Sequence, residues 1–124
     1  MTTQEIADKL VDYCRTEKYH EAYDLYAEDA VSIEMPGMGE NQITKGKKNI
    51  LKGFEEWQAS IKEVHGGSVG DPVVMGNHFC VPMSSDCTFE PMGRMKMEEL
   101  CMYEVKDGKI QRAQYFYEMP DMPQ

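Results

Sequence analysis

RMKMEELCMYEVKDGKIQRAQYFY, residues 94–117, decides the fold. Side chains alternate along both arms, and Asp107-Gly108 between them is a two-residue hairpin signal. Met95, Met97, Glu99, Cys101 and Tyr103 share one face of the first arm; Lys96, Glu98 and Glu104 share the other. On the second arm Tyr115 and Tyr117 point one way and Phe116 the other. Working outward, the same period of two runs through 64–75, 78–90, 94–106 and 109–119. Gly76-Asn77 is a second hairpin signal, and Pro91-Met92-Gly93 marks the remaining reversal. Pro72 and Pro82 cannot donate to a ladder, so each marks a bulge or an edge.

Upstream of His65 the period is helical. Thr2 and Glu5 fit a capping box, and Ile6, Leu10, Tyr13 and Cys14 follow on one face of a helix ending near Glu17. Tyr19, Ala22, Tyr23 and Tyr26 mark a short second helix. AVSIEM, residues 30–35, reads as a strand that Pro36, Gly37 and Gly39 turn into a loop. Ile50, Phe54, Trp57 and Ile61, widened by Leu51, form the stripe of a third helix. Three helices and about five strands, with the helices on one face of the sheet, make an α+β domain spanning residues 1–124. Strands of about ten residues twist strongly, so the antiparallel sheet curls around the N-terminal helices into a cone. A pocket remains wherever large side chains do not fill the interior.

Composition narrows the function. Twenty-two acidic against 13 basic residues give a charge of −9, which repels phosphate backbones and argues against a nucleic-acid partner. MTTQEIADK has no basic start followed by an apolar run, and no stretch approaches the roughly 18 apolar residues of a membrane span. A cytoplasmic location with no membrane partner is therefore expected. Cys14, Cys80, Cys87 and Cys101 then read as reduced, mostly buried thiols. Eleven methionines stand out, among them Met75, Met83, Met95, Met97, Met102 and Met119 in strand-like segments. Thioethers suit Cu(I), but a plastic apolar lining is the commoner use, and no metal or other cofactor is expected. His20, His65 and His78 lack ligand spacing. GGSVG at 66–70 precedes no helix, so it is no phosphate loop. Ser84, Asp86 and His78 lack a nucleophile elbow.

LYAEDAVSIEMPG at 25–37, with its YAxDA strand start, the helix after TKG at 44–46, and VKDGKIQRAQYFY at 105–117 resemble the SnoaL-like branch of the nuclear transport factor 2 superfamily, which also holds the ketosteroid isomerases. The resemblance implies a cone of the cystatin-like roll type, a deep apolar cavity, and a homodimer formed through the outer face of the sheet. Its isomerases use a strand carboxylate as base, with a tyrosine and a protonated acid as oxyanion donors. Counted without gaps, the base falls on Glu34. The tyrosine falls near Leu10 or Val11, with Tyr13 close by, and the acid at Leu100 or Cys101, with Glu99 adjacent.

The candidate site follows. Glu34 shares a face with Ser32, opposite Val31, Ile33 and Met35, and either face can line the interior. Turned inward, its carboxylate serves to remove a proton beside a carbonyl. Glu99 either lines the pocket or pairs with a cation such as Arg112, because an unpaired buried carboxylate is costly. Glu34, Glu99 and Tyr13 are the candidate catalytic groups. Trp57, His65, Met97, Cys101, Tyr115 and Tyr117 are the candidate ligand contacts. The expected function is binding of a small apolar organic ligand, with isomerase, cyclase or dehydratase chemistry by proton abstraction. The alternative is a non-catalytic ligand carrier or protein-interaction module on the same fold.

Overall fold

The computed structural model describes residues 1–35 and 42–117. The expected loop at Pro36–Gly39, Met119 and the end of the last run lie outside them. The order is α1 (Thr3–Arg15), α2 (Tyr19–Asp24), β1 (Tyr26–Ile33), β2 (Ile43–Lys45), α3 (Lys47–Ala59), β3 (Ile61–Val69), β4 (Val73–Met75), β5 (His78–Phe89), β6 (Gly93–Lys106) and β7 (Lys109–Tyr117).

The capping box forms: Glu5 N–H donates to Thr2 Oγ1 at 3.1 Å, and Thr2 N–H to Glu5 Oε1 at 3.1 Å. Behind it Ile6, Ala7, Leu10 and Val11 make a fully buried stripe. Two helix ends differ from expectation. Tyr26 opens β1 instead of closing α2, because the Leu25 carbonyl accepts a β7 hydrogen bond from Ile110 N–H at 2.9 Å. Ile61 opens β3 because Ser60 caps α3, its hydroxyl donating to the Trp57 carbonyl at 2.6 Å.

The sheet has seven strands rather than about five, in the order β2-β1-β7-β6-β5-β3, with β4 also pairing β5. The two extra strands have three residues each, too few for a period-two signal. The sheet is mixed rather than wholly antiparallel: β1 runs parallel to β7, while β5, β6 and β7 join through hairpins. The expected strand over 64–75 is two strands. β5 pairs β4 up to Cys80 and β3 from Met83, and Pro82 sits at that change of partner. A proline is tolerated there because no continuous ladder needs its missing N–H.

The concave face meets α1 and α2 through Phe79, Val81, Cys101, Tyr103, Ile110 and Ala113, all at most 3% exposed. Each of the larger side chains contributes about 1.5–3 kcal/mol of burial. Beyond this core the long strands β5 and β6 continue, at 12 and 14 residues, and carry the site.

Candidate functional site

β5, β6 and β7 form a ladder whose inward-facing residues fall into rows. The first is Phe79–Tyr103–Ala113, the second Val81–Cys101–Tyr115, the third Met83–Glu99–Tyr117. Ser85–Met97 and Cys87–Met95 continue it on β5 and β6. The first two rows form part of the core, with Tyr115 partly buried against it. Phe79 stacks on Tyr103 at 4.8 Å, and Tyr103 meets Tyr26 edge-on at 6.5 Å. Burial holds the Tyr26, Tyr103 and Tyr115 hydroxyls above the ordinary tyrosine range, so they remain protonated.

The third row carries the acidic chemistry. Ser32 is buried, and Glu34, two residues on, turns to the same face. Tyr117 donates its hydroxyl to Glu34 Oε2 at 2.9 Å, joining the first long strand to the last. Burial and that bond hold the Tyr117 phenol above its usual range, so it remains a donor. Glu99 stands opposite Tyr117 in the register. Burial raises its pKa first, and the negative charge of Glu34 raises it further. The Cys101 thiol, 3.7 Å from Glu99 Oε1, pulls weakly the other way. The two carboxyl groups therefore sense one another and differ in environment: one accepts a hydrogen bond from a phenol, the other is pushed toward its neutral form.

Glu99 does not pair with Arg112. Arg112 lies on the convex face, where Glu104 accepts from it at 3.0 Å and also meets His78 at 3.3 Å. Asp86 is held on that face by a two-pronged bond from Arg94 at 3.0 and 2.9 Å, which lowers its pKa. His65 hydrogen-bonds Thr88 at 2.7 Å and acts on Asp86, so it belongs with the convex-face groups. Tyr13 is partly buried against the core, and among the described residues no hydrogen bond joins it to Glu34 or Glu99.

Trp57 has a place that spacing alone does not show. Ring contacts run Phe79–Tyr103–Tyr26–Tyr23–Phe54–Trp57–Phe89, the last four at 5.1, 5.3, 6.0 and 5.7 Å. Both ends of this chain stand on β5, ten residues or roughly 33 Å apart. It forms an aromatic arch from the filled core along α2 and α3 to the β5–β6 hairpin. The β5 and β6 residues between its feet include Met83, Ser85, Met97 and Glu99, all partly buried. Met83 and Ser85 were not singled out as contacts from sequence; pairing 78–90 with 94–106 about the Pro91-Met92-Gly93 turn sets them opposite Glu99 and Met97.

Two concavities border this region, and neither is lined by Glu34, Glu99 or Tyr117. One of about 610 Å³ lies at the β5–β6 hairpin around Phe89 and Pro91, and one of about 300 Å³ is lined by Gly66, Gly67, Asp86 and Lys96 together with Ser85 and Met97. Among the described residues no group of three His, Cys, Asp or Glu side chains is placed to hold a metal, and no helix is long and apolar enough to cross a membrane.

A family model described as a SnoaL-like domain matches residues 1–117. Among solved structures, a Mesorhizobium loti protein provisionally described as a SnoaL-like polyketide cyclase is 34% identical, with a TM-score of 0.87 over 94% of this chain and 100% of that one. A Xanthomonas campestris protein with a cystatin-like fold is 13% identical, with a TM-score of 0.80 over 98% and 93% of the two chains. An NTF2-like protein from Burkholderia thailandensis is 13% identical, with a TM-score of 0.82 over 95% and 92%. The last two show the fold alone. No curated protein matches the chain.

Proposed function

We propose, for a chain that belongs to the SnoaL-like domain family, that it binds a small organic molecule beneath the aromatic arch and moves a proton beside its carbonyl. The observation that carries this reading is the Glu34–Tyr117–Glu99 constellation: a carboxylate fixed by a phenol, beside a carboxyl group pushed toward neutrality. Glu34 takes the proton from the α-carbon, and the C–H electron pair moves into the carbonyl to give an enolate. Glu99, in its protonated form, donates a hydrogen bond to the developing oxyanion. The proton on Glu34 returns to the same carbon or to a conjugated one. General-base catalysis of this kind supplies about 10²–10⁴-fold, and a donor aimed at the oxyanion adds to it. Tyr117 keeps Glu34 oriented through its 2.9 Å bond. Tyr13 has no part in this scheme.

The test is exchange of α-hydrogens for deuterium in small ketones, followed by proton NMR. The native protein exchanges them, and Glu34→Gln, correctly folded, does not. Activity falls at high pH as Glu99 loses its proton. Unchanged exchange in Glu34→Gln removes Glu34 from the mechanism. Thermal stabilisation by apolar ligands with no exchange supports the non-catalytic carrier instead.

The convex face supports a second copy of the chain as partner. Pro82, Leu100 and Phe116 stand side by side across β5, β6 and β7, and Leu100 and Phe116 are 42% and 37% exposed. Sedimentation equilibrium then gives a dimer that Leu100→Glu dissociates; a native monomer refutes it.

A further inference from the structure

We infer that the site takes its ligand end-on, so that the reacting carbonyl stands at the leading end of the molecule, as in a methyl ketone, and not in mid-chain. The inference rests on the proposed function and specifies its substrate class. The ladder carries it. Glu99 and Tyr117 occupy the third row, and the second row beneath them belongs to the core: Val81 and Cys101 are 0% exposed, and Tyr115, partly buried, packs against the core cluster. Successive rows are two residues apart, about 6.6 Å along a strand. That distance is taken up by the side chains of Val81, Cys101 and Tyr115, which belong to the core or pack against it. A carbon that reaches both carboxyl groups therefore has a floor immediately beyond it. Crosswise, the Tyr117–Glu34 bond closes the row toward β1. The open direction runs along the ladder toward Ser85 and Met97, both only partly buried. A methyl group beyond the carbonyl fits against the floor; a propyl group there has to displace Tyr115 or Cys101.

The experiment compares deuterium exchange into 2-heptanone and 4-heptanone, each normalised to its own hydroxide-catalysed rate. The native protein favours 2-heptanone by at least about tenfold, the discrimination one or a few methylenes produce against a packed wall. Tyr115→Ala lowers the floor and narrows that ratio, while Tyr115→Phe keeps the ring and keeps the ratio. Equal normalised exchange of both ketones by the native protein overturns the end-on inference and leaves the proton-transfer reading standing. Exchange of neither ketone overturns the proton-transfer reading, and the inference with it. If Tyr115→Ala does not fold, the native ratio and its persistence in Tyr115→Phe decide the matter.

Discussion

Replacing Tyr117 by phenylalanine removes one oxygen and leaves the ring in place. Tyr117 is 8% exposed, and its hydroxyl donates to the carboxylate of Glu34 at 2.9 Å. A hydrogen bond to a charged group contributes about 1.5–3 kcal/mol net. Glu34 is only partly buried, so water replaces part of the lost bond and the lower half of that range applies. For 124 residues the unfolding entropy near the midpoint is roughly 0.26 kcal/mol per degree, so about 1.5–2 kcal/mol lowers Tm by about 6–8 °C. The assay is urea unfolding followed by circular dichroism at neutral pH, run as a double-mutant cycle with Glu34→Ala. In the Glu34→Ala background the same Tyr117→Phe change costs less than about 0.5 kcal/mol, because its partner is already gone. Equal costs in the two backgrounds refute the bond and, with it, the tie between β1 and β7 on which the site depends.

Glu99→Gln tests the burial of the second carboxyl group. Because the folded state raises the Glu99 pKa, the native chain holds that proton more tightly than the unfolded chain does. Its stability contribution is fully present below the ordinary value of 4.5 and is lost as pH rises through the folded value. Relative to the native protein, Glu99→Gln is therefore more stable at neutral pH and loses this part of the pH dependence in urea melts; identical pH profiles contradict the assignment. The thiols give an independent check of packing. Burial pushes Cys14 up to about 11 and holds Cys87 and Cys101 above the usual thiol range, so all three react slowly with Ellman's reagent at pH 8 until the chain unfolds. Rapid labelling of Cys101 in the folded protein contradicts its burial in the second row.

Much of this was legible in the residues, and the parts that were not have physical reasons. Alternation along 94–117 and the Asp107-Gly108 turn suffice for the β6–β7 hairpin, and Thr2 with Glu5 suffices for the start of α1. Strand phase within β1 was open from sequence, since Ser32 and Glu34 on one face compete with Val31, Ile33 and Met35 on the other. The interior is decided by polar partners, because Tyr117 offers Glu34 a hydrogen bond there. Arg112 looked able to reach Glu99 because the two lie on adjacent strands. A β-bulge between Glu104 and Val105 and the two-sided pleat place it opposite Glu104 on the convex face instead. Three-residue strands such as β2 and β4 exist only through their long neighbours, so no local pattern announces them. Trp57 is visible as a helical apolar position, but its part in an arch depends on Phe54 and Phe89, distant partners that only tertiary packing brings together.

The central claim is that Glu34 and Glu99 share one site, and carbon-13 NMR titration of glutamate-labelled protein reads it without any ligand. Glu99 titrates above the ordinary glutamate value in the native protein, and in Glu34→Gln its midpoint falls because the neighbouring negative charge is gone while burial remains. A Glu99 midpoint that does not move when Glu34 is neutralised places the two groups apart and contradicts the account.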